Sequence, residues 1–233
     1  MSNEKRYILK SLLIPAYFII LLWIIKLGEI ITHTDLYFLG IYPQHLKGII
    51  GIITAPLIHG DLKHLSANSV PIFVLGGCLF YFYKEIAVRT TILIWLITGL
   101  TVWVGARESY HIGASGIVYG LAGFLFFSGI FRRDNRLLAI TMLVTFLYGS
   151  LVWGIFPEFY PEKNISYESH FWGLVIGSIL AFYYRNQGPK PKKYNWEIEE
   201  EMENDLNENE QAENSEDSIM VNYTSPDNNR QAP

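Results

Sequence analysis

A serine between glycines and a distant histidine are the residues of this chain whose types and positions most suggest chemistry. Ser115 lies in the run Gly113-Ala114-Ser115-Gly116, where an apolar stretch begins, and His170 opens another apolar stretch. A serine hydroxyl becomes a nucleophile when an imidazole within hydrogen-bond reach accepts its proton. The two residues therefore predict acyl-transfer chemistry at the ends of two apolar helices.

Each of the two residues also has an ordinary structural interpretation. At the first turn of its predicted helix, Ser115 lies beside unpaired backbone N–H groups and the positive end of the helix dipole, which would stabilise a developing oxyanion. A single serine at such a position is more commonly a helix cap or a small packing residue. Only the combination with His170 favours catalysis.

Small residues offer a way to bring the two helices together. Gly173 and Gly177 share one face of the helix that His170 opens, with Ala181 one turn further on. The helix of Ser115 has its own small residues: Gly116, Gly120 and Gly123. Faces of this kind let two backbones approach closely in a membrane. We therefore predict that the His170 imidazole reaches the Ser115 hydroxyl.

No carboxylate is placed to complete a Ser-His-Asp triad. Glu168 projects from the far side of the helix of His170, and Glu158 and Glu162 fall in the preceding loop. The G-x-S-x-G elbow of soluble hydrolases is also absent, because Ile117 replaces its last glycine. A Ser-His dyad is therefore predicted rather than a triad.

A second polar group opens another apolar stretch. His64 and Asn68 are four residues apart and share one helix face. Polar groups in hydrocarbon are unfavourable unless they are paired, so these side chains have either a task or hydrogen-bond partners on a neighbouring helix. A metal site of His59, His64 and His170 would lack an acid or thiolate and leave Ser115 unexplained, so we predict no metal and no cofactor. The remaining histidines are interpreted as interfacial: His33, His45 and His111.

Long apolar runs predict an all-α membrane protein. Half of the 233 residues are apolar, and the runs are close to the ~20 residues that cross a bilayer. The six runs are roughly 12–27, 64–83, 88–106, 114–131, 136–156 and 168–185. The first two are separated by a long loop, which is predicted to be folded. Its apolar stretch Leu46 to Ile58 is predicted to associate with the membrane.

The charged residues predict the orientation of the helices. Residues 194–233 hold 12 of the 22 acids and one base, which leaves 17 bases against 10 acids in the rest of the chain. With the N-terminus inside, 12 of these bases fall on the inner side and 5 on the outer side, so both termini are predicted to be cytoplasmic. We predict a cytoplasmic N-terminus over 1–9, a six-helix domain over 10–186, and an acidic, disordered tail over 187–233.

Taken together, these motifs resemble the rhomboid family of intramembrane serine proteases. The matching residues are His59, His64, Asn68, Gly113, Ala114, Ser115, Gly116, Tyr119, His170, Gly173 and Gly177. They fall on predicted helices two, four and six in the family's order, and the resemblance covers about residues 10 to 185. The Trp-Arg pair often found in the family's first loop is absent, with Tyr42-Pro43-Gln44 nearby.

The resemblance implies a role for each matching residue. Ser115 would be the nucleophile and His170 the general base. His64, Asn68 and the backbone N–H of Ser115 would form the oxyanion hole, and Tyr119 would stack on the imidazole of His170. Supporting positions would be His59, Gly113, Gly116, Gly173 and Gly177.

The implied activity is hydrolysis of peptide bonds in or near the transmembrane segments of single-pass proteins. The substrate protein and the lipid bilayer are then the partners, with no nucleic acid, and the compact six-helix form is typical of a bacterial inner membrane. An alternative is a catalytically silent rhomboid-like protein that binds and sorts transmembrane helices. Such a protein would be expected to lack the serine or the histidine, and both are present. A transporter is disfavoured because the polar residues cluster at one end of the helices.

Overall fold

The structure, a computed structural model, describes residues 3–133, 135–147, 166–188, 199–200, 202–208 and 211. Within these ranges the chain is helical and contains no strand, apart from an isolated β-bridge between Ile41 and His111. The helices are α1 (Asn3–Thr32), α2 (Gly51–Thr54), α3 (Leu62–Phe82), α4 (Ala87–Gly105), α5 (Ser115–Arg132), α6 (Asn135–Leu147) and α7 (Tyr167–Tyr183). The chain divides into two compact units, 1–190 and 191–233. All seven named helices belong to the first unit, and the described residues of the second, 199–200, 202–208 and 211, are also helical. Most of the tail predicted over 187–233 lies outside the described residues.

Four of the described helices are long and apolar enough to cross a membrane, namely α1, α3, α4 and α5. Helix α1 extends beyond the apolar run 12–27 because its charged flank, including Lys5, Arg6 and Lys10, consists of good helix formers. Helix α6 is described as far as Leu147, so the rest of the predicted fifth run lies outside the described residues. The predicted count of six spans stays a prediction.

The loop between α1 and α3 is folded into short helical turns. Three 3₁₀ turns surround α2: Tyr37–Leu39, Leu46–Gly48 and Ala55–Leu57. Two tryptophans of α4 fasten this loop, because Trp95 donates to the Ile52 carbonyl at 3.1 Å and Trp103 to the His45 carbonyl at 3.1 Å. The loop therefore packs on α4, while its association with the membrane stays a prediction.

Helix α5 is the central helix of the described bundle. In its apolar window 78% of the residues are buried, against 17% in that of α1. It packs against α3, α4, α6 and α7. Ser115 at its first position is therefore held by several helices at once.

Helices α5 and α7 approach each other closely along a glycine seam. A Cβ added at Gly173 would overlap the Gly116 carbonyl, and one at Gly177 would overlap the Gly120 carbonyl. A Cβ at Gly123 would come within 2.7 Å of the Leu174 carbonyl oxygen. The small faces singled out in the sequence do meet, and the two backbones are in van der Waals contact along them.

This seam makes Gly177 a sensitive position. We expect Gly177→Ala to lower the free energy of unfolding by about 1–3 kcal/mol, because the added methyl group must push α5 and α7 apart. Thermal unfolding in mild detergent measures the change. Gly28→Ala is the matched control, since Gly28 lies inside α1 with no atom within 4 Å of its added Cβ. Equal melting temperatures for Gly177→Ala and the wild type would contradict the backbone contact.

Candidate active site

Ser115 and His170 are in direct contact at the same end of α5 and α7. The Ser115 Oγ lies 2.8 Å from the His170 Nε2. Both residues are buried, with 8% of each exposed. A serine hydroxyl that donates to an imidazole nitrogen at this distance has the geometry in which the imidazole accepts its proton during nucleophilic attack.

The turn before α5 explains why a glycine precedes the serine by two positions. Gly113 has φ +105°, a conformation that side chains with a Cβ rarely adopt. A Cβ at this position would also come within 2.6 Å of the His64 ring. The Gly113 N–H donates to the Ala55 carbonyl at 2.9 Å. This turn therefore delivers Ser115 beside His64 and fixes it to the first loop.

Tyr119, one turn along α5 from Ser115, supports the imidazole of His170. The two rings are stacked, with centroids 4.2 Å apart and an interplanar angle of 12°. Tyr119 is itself buried. The stacking that the resemblance implies is present, and it restricts rotation of the His170 ring about its side-chain torsions.

The start of α3 lies beside this pair. Asp61 caps the helix by accepting from the His64 N–H at 2.7 Å, a bond that lowers the pKa of the Asp61 carboxyl. Asn68 follows His64 by one turn and is 5% exposed, and its Nδ2 has no hydrogen-bond partner among the described residues. Buried polar groups are nearly always paired, so this donor is free to bind a group that the structure does not contain.

His59 is buried behind the nucleophile. Its Nε2 accepts from the N–H of Ala114, one residue before Ser115, at 3.4 Å. The ring centroids of His59 and His64 are 5.0 Å apart. Burial, with a smaller contribution from His64, lowers the pKa of His59 from 6.5 to about 3. His59 is therefore neutral at physiological pH and acts as an acceptor.

Acid is expected to destabilise the protein through His59. Between pH 6.5 and about 3 the unfolded chain binds a proton that the folded chain does not. Stability is therefore fully present above pH 6.5 and falls as the pH drops through this window, by up to ~1.4 kcal/mol per pH unit. The measurement is the melting temperature at about pH 7.5, above this window, and at about pH 4.5, inside it. We expect the melting temperature to fall less between these two values for His59→Asn than for the wild type. The exposed His33→Asn is the control, and equal slopes for His59→Asn and wild type would contradict the expectation.

A partly buried ion pair near the end of α1 holds the segment that carries His59. The Lys26 ammonium donates to the carbonyls of His59 and Gly60 at 2.8 and 3.0 Å and lies 3.2 Å from a Glu29 oxygen. The other Glu29 oxygen accepts from the Leu36 N–H at 3.0 Å. The only sequence signal for this pair is its spacing of three along α1.

His111 departs from the sequence interpretation. It was expected at the interface, but only 2% of it is exposed and both ring nitrogens have partners. It lies beside Ser166, at the start of α7. Within the described ranges, no three His, Cys, Asp or Glu side chains are grouped so that they would hold a metal ion.

The fold and the site define a helical membrane protein in which a serine and a histidine meet at the ends of two closely packed helices. The sequence profile of the Rhomboid domain matches residues 47–187. An uncharacterized protein of Mycobacterium tuberculosis is 33% identical over 171 residues, which are 71% of each chain. The putative rhomboid protease YdcA of Bacillus subtilis is 27% identical over 56% of this chain and 65% of its own length. The rhomboid protease GlpG of Pectobacterium atrosepticum is 28% identical over 58% of this chain and 49% of its own length.

The chain belongs to the rhomboid family, which confirms the resemblance seen in the motifs. Together with the four apolar helices, this makes it a multi-pass membrane protein.

Proposed function

We propose that this protein is an intramembrane serine endopeptidase that hydrolyses peptide bonds in or near the transmembrane segments of single-pass membrane proteins. The observation that carries the proposal is the 2.8 Å hydrogen bond between Ser115 Oγ and His170 Nε2. Two of the relatives described above are named rhomboid proteases or putative rhomboid proteases, which supports the same reaction class.

The reaction proceeds by acyl transfer. The Ser115 Oγ attacks the carbonyl carbon of the scissile bond while His170 Nε2 takes the hydroxyl proton. The tetrahedral intermediate then collapses, the C–N bond breaks, and His170 returns the proton to the leaving amine. Water attacks the acyl-enzyme with His170 again as the base, which releases the carboxylate product and restores Ser115.

Three donors are assigned to the oxyanion hole in this proposal. The Ser115 N–H lies at the start of α5, where the helix leaves its first N–H groups unpaired. The buried Asn68 Nδ2 is an unpaired donor, and the His64 ring lies against Gly113, two residues before the nucleophile. Each donor contributes ~10²–10³ to the rate by comparison with soluble serine proteases.

The same proposal includes the arrangement of the protein in the membrane. Helices α6 and α7 belong to the fifth and sixth spans of a domain over 10–186, and the first loop associates with the bilayer. Both termini are cytoplasmic, in a bacterial inner membrane. Ser115 and His170 then open to the outer side, where water reaches them.

The experiment that tests the function is cleavage of a single-pass test protein in vesicles that contain the purified enzyme. We expect two fragments whose new termini, read by mass spectrometry, lie in or beside the transmembrane segment, and no fragments with Ser115→Ala. A folded wild type that cuts no member of a panel of test helices, takes up no fluorophosphonate probe and still copurifies with the helices would overturn the proposal. That outcome would favour the silent helix-sorting protein.

A further inference from the structure

A second serine-histidine contact lies four residues before the candidate dyad in each of the two chain segments. His111 Nδ1 is 2.7 Å from Ser166 Oγ, and the two residues are 55 apart in sequence, as are Ser115 and His170. His111 precedes Ser115 by four residues, and Ser166 precedes His170 by four. The residue types are exchanged, because here the histidine lies on the segment of the nucleophile.

The direction of each hydrogen bond in this second contact follows from the partners. His111 Nε2 lies 3.0 Å from the Arg107 carbonyl, which only accepts, so Nε2 carries the proton. Burial lowers the pKa of His111, so the ring is neutral, its Nδ1 is an acceptor, and the Ser166 hydroxyl donates to it. The Ser166 Oγ in turn accepts from the Ser169 N–H at 3.3 Å and lies 2.7 Å from the Ser169 hydroxyl. A single neutral tautomer of His111 therefore satisfies the whole chain of bonds.

Both ends of this contact are held by the fold. The backbone of His111 is bridged to Ile41, with N–H to carbonyl distances of 2.9 and 2.8 Å. Ser166 is the N-cap residue of α7 and is 9% exposed. The charged groups near His111 are Arg107 and Glu168, which pair with each other at 3.6 Å, and the other Glu168 oxygen lies 3.9 Å from His111 Nδ1. The contact therefore joins a fixed loop to the first turn of the helix that carries His170.

The glycine seam by itself only weakly opposes sliding or rotation of α7 about its own axis. Contacts between Gly173 or Gly177 and the carbonyls of α5 set how close the two helices come. Gly173 and Gly177 have no side chains that could interlock with α5, so these contacts resist sliding or rotation of α7 less than interdigitated side chains would. Directional hydrogen bonds at the cap of α7 oppose that motion. A displacement of about 1 Å at His170 would break its bond to Ser115, and misplacements of this size lower rates by about 10²-fold.

We propose that His111 is a positioning residue for the Ser115–His170 pair, and that it acts through its hydrogen bond with Ser166. This inference rests on the proposed function. His111 touches neither reacting side chain in the contacts described above, so its effect is on the placement of α7.

Two conservative variants of His111 separate its two hydrogen bonds. The amide of asparagine occupies the position of Nδ1, so His111→Asn keeps a partner for Ser166. The amide of glutamine reaches the position of Nε2, so His111→Gln keeps the bond to the Arg107 carbonyl and loses the one to Ser166. Ser166→Ala removes the same bond from the other side. The exposed His45→Gln is the control for replacing a histidine on a neighbouring loop.

The test measures kcat and KM for cleavage of a single-pass test protein by the full-length enzyme, well below the melting temperature of each variant. We expect His111→Gln and Ser166→Ala to lower kcat by about 10- to 100-fold with KM within about twofold. His111→Asn should stay within about threefold of the wild type. The kcat of the double variant His111→Gln with Ser166→Ala should be no lower than that of the less active single variant, because the two changes remove the same hydrogen bond.

The outcomes distinguish this inference from the proposed function. A wild type that neither cleaves nor takes up a fluorophosphonate probe overturns the proposed function and the inference together. An active wild type with His111→Gln and Ser166→Ala at wild-type kcat overturns only the inference. So does an equal loss in His111→Asn and His111→Gln that follows their melting temperatures, because that pattern belongs to a residue that only stabilises the fold. If His111→Gln does not fold, the comparison of Ser166→Ala with His111→Asn decides in the same way.

Discussion

Ser115→Ala and His170→Ala are each expected to lower kcat for cleavage of a single-pass test protein by about 10⁴- to 10⁶-fold. Without the Ser115 hydroxyl no acyl-enzyme forms, and without the His170 imidazole the hydroxyl keeps its proton. The double variant should lose little more than either single variant, because the two groups act as one unit. The measurement is the initial rate of cleavage in vesicles, with fluorophosphonate labelling as a second readout.

Ser128→Ala is the matched control for the nucleophile. Ser128 is another buried serine of α5, with 1% exposed, and lies in a later part of the helix. It should keep wild-type cleavage and labelling. Cleavage by Ser115→Ala within about tenfold of the wild-type rate would refute Ser115 as the nucleophile, since the expected effect is larger by orders of magnitude.

Asn68→Leu is expected to lower kcat by about 10²–10³-fold with little change in KM, because the lost donor acts on the oxyanion and not on the bound peptide. His64→Ala should have an effect of similar size. The same Asn68→Leu change should leave the melting temperature unchanged or raise it. A buried amide without a partner is unfavourable by roughly 1–3 kcal/mol, and leucine removes that donor at similar volume.

Opposite changes in activity and stability are the signature of a group that serves the transition state. Ser66→Ala, on the exposed side of α3, is the control for substitution in this helix. A parallel fall of activity and melting temperature in Asn68→Leu would mean instead that Asn68 holds the fold together. Unchanged kcat would remove Asn68 from the oxyanion hole.

Much of the candidate site follows from local features of the sequence. Gly113 precedes Ser115 by the two residues that a tight entry to α5 needs, and its φ of +105° explains why a glycine is found there. The repeated small residues on two apolar runs predict a close seam, and Gly173 and Gly177 lie against carbonyls of α5. These inferences work because a helix period and a backbone conformation are set by nearby residues.

Other contacts of the site cannot be predicted from neighbouring residues in the sequence. Lys26 counts as one more outer charge in the sequence, yet it holds the carbonyls of His59 and Gly60. His111 reads as an interfacial residue, yet it is buried against Ser166. These partners are 33, 34 and 55 residues apart, in segments with no shared period. Their contacts depend on how the loops return to the bundle.

By itself, the sequence determined the apolar runs, the helical class, the family and the pairing of a serine with a histidine. Only the tertiary structure decided which apolar helix is central. Helices α1 and α5 are both apolar enough to cross a membrane, but 17% of the apolar window of α1 is buried against 78% of that of α5. The physical reason is that lipid is as apolar as a leucine side chain, so hydropathy predicts that a helix enters the membrane but not which neighbour covers it. Helix neighbours are chosen by close packing and directional hydrogen bonds, and these exist only once the whole chain is folded.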